Sequence, residues 1–480
     1  MMIRSNSKRL FYFLTLGMAF VIPIVFNPFS FFRFEMDKIF LFRLLVSVML
    51  AIWLIERGSL KNFWVWCWQR TAVMDLFGVE TLQLAFVGVY GLSTIFSIAP
   101  AESFWGLMDR GFGLVTVVSL IVFYWLLRGV FAETRRASAL VMVIVGTGFM
   151  VGLYAILQKF GLEFIPGVHS ETLSIARSVV RPIATIGNPN YLGAYLAMIL
   201  PFGLLLFDGA KRIWQKVLIL ITIIVQLAAL YFTLSRAGWL GAFAGLLFFL
   251  FFYIYKLPRQ RATIFVVAVA LLSVGLFFFG VFGLGGDKRT QDLTFEGGSM
   301  YVRLQDFKYA AVKIIERPIF GFGPETYMFL SMDRIYTEKE LAIDDRLSDR
   351  VHNLLLDTLI NIGVVGLIVL ITIFVQLFRR AWRGFFSGQD VSRQIVILTA
   401  ASALVAYLVQ VQFHFDTIVT SLLVIICFVL ISDFEVKRAE EDVSSVSSKL
   451  TTPVALLAGV VLVVGVVWHV GEMVVNAMLI

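Results

Sequence analysis

The sequence predicts an all-α polytopic membrane protein with about 12–13 transmembrane helices. Composition is the first observation: 59% of the 480 residues are hydrophobic and 15% charged, where an average soluble domain carries about 25% charge. The second is a series of apolar runs near the roughly 20 residues that a helix needs to cross a hydrocarbon core. The third is the placement of Lys and Arg, which alternates from one connecting segment to the next. Together with 47 Phe and a mean hydropathy of +0.89, these exclude an ordinary water-soluble enzyme, a disordered chain, a collagen-like chain and a secreted disulfide scaffold. Cys67 and Cys427 are the two cysteines, too few for a disulfide framework or a cysteine metal site.

Taken in order, the apolar runs fall at about 10–26, 39–55, 76–98, 112–130, 138–160, 191–208, 217–233, 238–255, 262–283, 352–378, 395–413, 417–432 and 453–475. The first is not a cleaved signal peptide, because a second run follows at once with no small-x-small cleavage site between them. With the N-terminus inside, the cytoplasmic segments hold 22 of the 40 basic residues. These are Arg4, Lys8 and Arg9; Arg57, Lys61 and Arg70; Arg128, Arg135 and Arg136; Lys211, Arg212 and Lys216; Lys256, Arg259 and Arg261; Arg379, Arg380, Arg383 and Arg393; and Lys437, Arg438 and Lys449. No segment breaks the alternation, so thirteen spans put the C-terminus outside. The net charge of +8 is mostly a matter of topology, and no nucleic-acid partner is implied.

Three regions result: helices 1–9 over 1–283, a large extracytoplasmic loop with short amphipathic helices over 284–351, and helices 10–13 over 352–480. Polar sequence concentrates in the 284–351 loop and the smaller 161–190 loop, so the working face is expected outside. The Ser-rich stretch 444–448 reads as a linker, and a further outer C-terminal extension is expected beyond the last span.

Of the four histidines, His469 reads as an interfacial residue and His169 as a loop residue with no metal-like partner nearby. His414 lies in Gln410-Val-Gln-Phe-His-Phe-Asp416 at a tight outer turn. It is either a hydrogen-bonded turn residue or a helper facing the outer cavity, and Asp416 is the stronger contributor. His352 opens a span after Asp344-Asp-Arg-Leu-Ser-Asp-Arg350. Asp349 or Ser348 is expected to cap that helix and leave His352 in its first turn, where the positive helix end disfavours imidazolium. Asn353, Asp357 and Asn361 continue a polar stripe, which is costly inside a span unless it lines a cavity or meets partners. Gly363 and Gly366 are expected to permit close helix packing.

Arginines form a second set: Arg110, Arg177, Arg181, Arg236 in Leu234-Ser-Arg-Ala-Gly238, and Arg303 at the start of an amphipathic pattern. Converging in a partly buried cavity, such arginines suit a phosphate or pyrophosphate, since the guanidinium fork binds those oxygens bidentately. There is no P-loop, His-Glu-x-x-His or Gly-x-Ser-x-Gly pattern, and Asp344-Asp345 reads as a solvated loop pair. Clear mid-span charges are few (Arg43, Glu80 and Asp357), which favours an enzyme over a transporter or flippase for lipid-linked sugar.

His352-Asn353, nine residues, then Gly363-Val-Val-Gly366 resembles the His-Asn-x9-Gly-x-x-Gly signature of the O-antigen ligase and O-antigen polymerase superfamily, which includes bacterial protein O-oligosaccharyltransferases. Ser93-Thr-Ile-Phe-Ser97, Phe104-Trp-Gly106, Gly187-Asn-Pro-Asn-Tyr191, Leu234-Ser-Arg-Ala-Gly238 and Arg317-Pro-Ile-Phe-Gly-Phe-Gly323 add to that resemblance in the expected order. It implies a GT-C-type glycosyltransferase of the bacterial inner membrane, working on the periplasmic or extracellular face. The donor would be a glycan on undecaprenyl (polyprenyl) pyrophosphate, and the acceptor a hydroxyl of lipid A–core, of another glycan or of a protein.

The resemblance puts the family histidine on His352 and its pyrophosphate-associated arginines on Arg236 and Arg303. Asn353, Asp357, Arg110, Arg181, Asn188, Asn190 and Asp416 are supporting candidates. No metal or other cofactor is expected, and a single displacement would invert the anomeric centre.

Overall fold

The computed structural model describes residues 5–29, 34–57, 78–165, 171–172, 180–256, 298–334, 336–337, 348–387 and 390–439. Eleven of the thirteen apolar runs coincide with helices there, whereas the runs at 262–283 and 453–475 lie outside the described residues. In chain order the helices are α1 (Ser5–Ile24), α2 (Glu35–Arg57), α3 (Val79–Ile95), α4 (Pro100–Trp105), α5 (Leu114–Leu127) and α6 (Thr134–Lys159). There follow α7 (Pro189–Gly209), α8 (Ile213–Phe232), α9 (Arg236–Lys256), α10 (Gly298–Glu316), α11 (Tyr327–Met332), α12 (Leu354–Phe386), α13 (Val391–Gln410) and α14 (Ile418–Ala439). Strands β1 (Glu171–Thr172) and β2 (Val180–Arg181) form a short antiparallel ribbon, with Glu171 opposite Arg181. Among the described residues eight helices are long and apolar enough to cross a membrane, and α3, α5 and the apolar part of α14 are shorter apolar helices. These helices make the protein an all-α polytopic membrane protein.

Helices α7 and α13 are apolar nearly all round and buried along most of their length, which puts them at the centre of the bundle. Helix α9 packs against both. Small residues set that approach: a Cβ on Gly238 would meet the backbone of Gly193, and one on Gly241 the Ala406 carbonyl. The Gly193–Gly238 contact joins the start of α7 to the start of α9.

Helix α12 is broken. Gly363 has φ 70°, and any Cβ there would collide with the Ile319 carbonyl. The freed backbone groups are taken up by the segment 318–323: Phe322 N donates to Ile360 O (2.8 Å), Gly323 N to Asn361 O (3.0 Å), and Val364 N to Pro318 O (2.8 Å). Ser93 Oγ lies 2.7 Å from both Phe320 O and Asn361 O. Ser103, itself bonded to Ser97, donates to Pro324 O at 2.7 Å. Three separated sequence pieces therefore meet at one notch. The expectation of close helix packing at Gly363 is corrected: this glycine admits a loop, and a Cβ on Gly366 would meet Ile362 of its own helix.

At the end of the bundle remote from this notch, buried charges fasten α3, α5, α12 and α14. Arg380 holds Glu80 through two nitrogens, at 2.9 and 3.0 Å. Arg128 pairs with Glu80 and lies 3.6 Å from Asp433, which also accepts from Gly129 N and Phe131 N. Glu80 and Asp357 are not mid-span charges, because each lies in the first turn of its helix. Arg43 does lie within α2, and donates to Trp105 O and Thr116 Oγ1.

Candidate active site

At the notch end, the starts of α7, α9, α12 and α14 meet the 106–113 loop and the start of α10. Helix α12 begins at Leu354 with Asn353 as its cap, whose Oδ1 accepts from Leu355 N and Leu356 N at 3.1 Å each. This corrects the expected cap at Ser348 or Asp349. It also takes His352 out of the helix: its φ is 55°, a left-handed conformation rare for residues other than Gly and Asn. That turn brings its Nδ1 to 2.9 Å from the carbonyl oxygen of Arg350. A carbonyl only accepts, so Nδ1 carries the proton and Nε2 keeps its lone pair.

The neutrality expected from a helix dipole has a different cause here. Burial, with the charges of Arg303, Arg110 and Arg350 around it, pushes the His352 imidazole down to about 3. Each guanidinium is held in turn. Arg350 donates to Asp357 Oδ2 at 2.8 Å and pairs with Glu325; burial pulls it down, but Asp357 and its other anionic neighbours more than offset this. Arg110 pairs with Asp349 and lies 3.9 Å from the centre of the Phe415 ring. Arg303 is lowered by burial, counteracted by Asp306 and reinforced by Arg236. Arg236 and Arg303 therefore feel each other's charge, and Arg303 and His352 do likewise.

The remaining candidates divide into two groups. Asp357 accepts from Arg350 and from Asn361 Nδ2 (3.1 Å). Asn353 Nδ2 donates to Gln412 O at 3.1 Å, tying the start of α12 to the turn before α14. Asp416 accepts from Tyr407 OH at 2.7 Å, and burial raises its carboxyl to about 6. Arg181 and the asparagines instead build the scaffold. Asn188 caps α7 by accepting from Asn190 N, while Arg181 donates to Asn190 Oδ1 (3.1 Å) and Thr233 O (2.9 Å). They lock the Gly187–Tyr191 segment to the turn carrying Arg236. His169, His469, Arg177 and Asp344-Asp345 lie outside the described residues.

Sequence reasoning passed over Arg350 and Phe415 and left His414 undecided. The Phe415 ring lies 5.1 Å from His352, and His414 lies 5.9 Å from it, between ring centres. The available signals were the cation two residues before His352 and the aromatic residues flanking His414.

The family model described as O-antigen ligase matches residues 221–371. That stretch is similar to an O-antigen ligase domain. No curated protein matches this chain. The O-antigen ligase match spans Arg236, Arg303, Glu325, Arg350, His352, Asn353, Asp357 and the Gly363 break. It supports an enzyme of O-antigen ligase or polymerase type, integral to a membrane and handling a lipid-linked glycan and an acceptor. Arg110, His414, Phe415 and Asp416 come from outside the O-antigen ligase match and complete the same site.

Proposed function

We propose that the protein is a glycosyltransferase of the bacterial inner membrane, which moves a glycan from undecaprenyl (polyprenyl) pyrophosphate to an acceptor hydroxyl. Lipid A–core or another surface acceptor supplies the hydroxyl, and the site faces the periplasm with the N-terminus inside. The observation that carries this reading is an uncharged imidazole with a free Nε2 lone pair, set among Arg110, Arg303 and Arg350.

The chemistry is one displacement. The acceptor oxygen forms a bond to the anomeric carbon as the bond from that carbon to the phosphate oxygen breaks. The bonding pair leaves with the pyrophosphate, and the hydroxyl proton passes to His352 Nε2. Arg236 and Arg303 stabilise the charge growing on the leaving group, already oriented in a poorly hydrated site, so no cation is required for that role. A single displacement inverts the anomeric centre.

Donor and base are coupled electrostatically. Burial is the main cause that depresses His352, and Arg303, which adds to it, is also one of the two arginines assigned to the pyrophosphate, so donor binding returns the Arg303 share of the ring's basicity.

Membranes supplied with a polyprenyl-pyrophosphate-linked glycan test the reading when transfer and donor flipping are scored together. Transfer that survives EDTA and collapses in His352→Asn supports the enzyme. Flipping that persists in His352→Asn and Arg236→Ala, without transfer to any acceptor, overturns it in favour of a lipid-linked sugar transporter.

A further inference from the structure

A second imidazole faces His352 with the opposite hydrogen-bonding character. His414 is buried, 4% exposed, on the turn between α13 and α14. Its Nδ1 accepts from Phe415 N at 2.9 Å. A backbone N–H only donates, so Nδ1 of His414 holds a lone pair and the ring proton sits on Nε2. His352 is the reverse, with its proton on Nδ1 and its lone pair on Nε2. The backbone thus fixes both tautomers, one through a carbonyl and the other through an amide. Among the described residues neither Nε2 has a hydrogen-bond partner. The ring centres are 5.9 Å apart with planes at 61°, an edge-on approach rather than a stack.

Tyr191 and Phe415 hold the second ring, with centroids 5.1 and 4.7 Å from His414. Burial, followed by the neighbouring His352, Arg303 and Arg110, lowers the His414 imidazole, as burial and the same two arginines lower His352.

We propose that His414 is a second substrate-contacting residue, whose Nε2–H donates to the acceptor hydroxyl oxygen while the Nε2 lone pair of His352 receives that hydroxyl's proton. A hydroxyl offers one proton and two lone pairs. With the proton on His352 and one lone pair held by His414, the other lone pair is the one left to attack. His414 keeps its own proton throughout, so the displacement balances as before, with its bond made to the anomeric carbon and its bond broken to the pyrophosphate. The pair selects an acceptor that both donates and accepts at one atom, which an ether or a phosphate oxygen does not. This inference rests on the glycosyltransferase reading and deepens it.

The test compares His414→Phe, His414→Ala and His414→Gln with the wild-type protein, using a polyprenyl-pyrophosphate-linked glycan donor. Acceptor arms are lipid A–core, a second lipid-linked repeat and a serine-containing peptide. Donor binding is measured separately with a fluorescent donor. The expected result is a fall of about 10- to 100-fold in transfer for Phe and Ala, with donor binding within about twofold of wild type. Gln, which retains a side-chain N–H, recovers most of the loss. Transfer by His414→Phe at the wild-type rate overturns the proposal, since the ring would then only fill space. Loss of donor binding in all three variants also overturns it, making His414 a structural residue. A wild-type protein inactive in every acceptor arm instead overturns the glycosyltransferase reading beneath it.

Discussion

His352 Nδ1 donates to the carbonyl oxygen of Arg350, two residues upstream, at 2.9 Å. The bond exists because the His352 backbone adopts φ 55°, which folds the side chain back over its own chain. A left-handed conformation costs a residue with a Cβ about 1 kcal/mol or more and costs glycine almost nothing. His352→Gly therefore removes the imidazole without straining the turn. We expect this variant to keep wild-type thermal stability within a few degrees and to regain part of its transfer activity when imidazole is added. Melting curves and an imidazole titration check both statements.

Arg350 and Arg303 are held in different ways, and their replacements should differ accordingly. Arg350 bridges Glu325 and Asp357. Replacing it with Lys removes a planar fork from two buried carboxylates and should lower stability by about 2–4 kcal/mol. Arg303→Lys should leave stability near wild type and weaken the donor interaction, because an ammonium does not reproduce bidentate contact with phosphate oxygens. Denaturation in detergent beside a donor KM separates the two outcomes.

Acid should act on this end of the bundle in two opposing ways. The folded-state value of His352 is about 3, below the ordinary 6.5, so from pH 6.5 down to about 3 the unfolded chain binds a proton that the folded chain refuses. Its contribution to stability is present above pH 6.5 and is lost as the pH falls. Asp416 is raised to about 6, so between pH 6 and about 4 the folded chain binds the proton and acid favours folding. His352→Gly should therefore flatten the loss of stability on going from pH 7 to pH 5, and Asp416→Asn should steepen it. Melting temperatures across that range distinguish the signs.

At the remote end, Glu80 accepts from both Arg380 and Tyr124 and pairs with Arg128. Glu80→Ala removes the carboxylate shared by two buried guanidiniums and should cost about 3–5 kcal/mol. Whatever protein remains folded should keep its donor KM, since the cluster does not touch the site. Extraction yield and transfer per folded molecule test this.

How much could be read beforehand depended on range. Apolar runs such as 138–160 and 191–208 became helices because spanning length and burial depend on composition alone. His352, Arg236 and Arg303 can be proposed from the sequence because separate short segments together resemble one family. The helix start was misplaced by several residues because nothing in Ser348-Asp-Arg-Val-His-Asn353 announces a left-handed turn at a histidine. Gly363 was read as a packing residue because a helix break filled by the 318–323 loop depends on a distant partner. Arg350 and His414 went undervalued for the same reason, since only tertiary structure brings the α13–α14 turn to the start of α12.

The most direct test of the central claim is the rate of glycan transfer by His352→Gly relative to wild type, measured in EDTA with donor saturating. General-base catalysis by His352 predicts a fall of about 10²- to 10⁴-fold. A rate within a few-fold of wild type would contradict it.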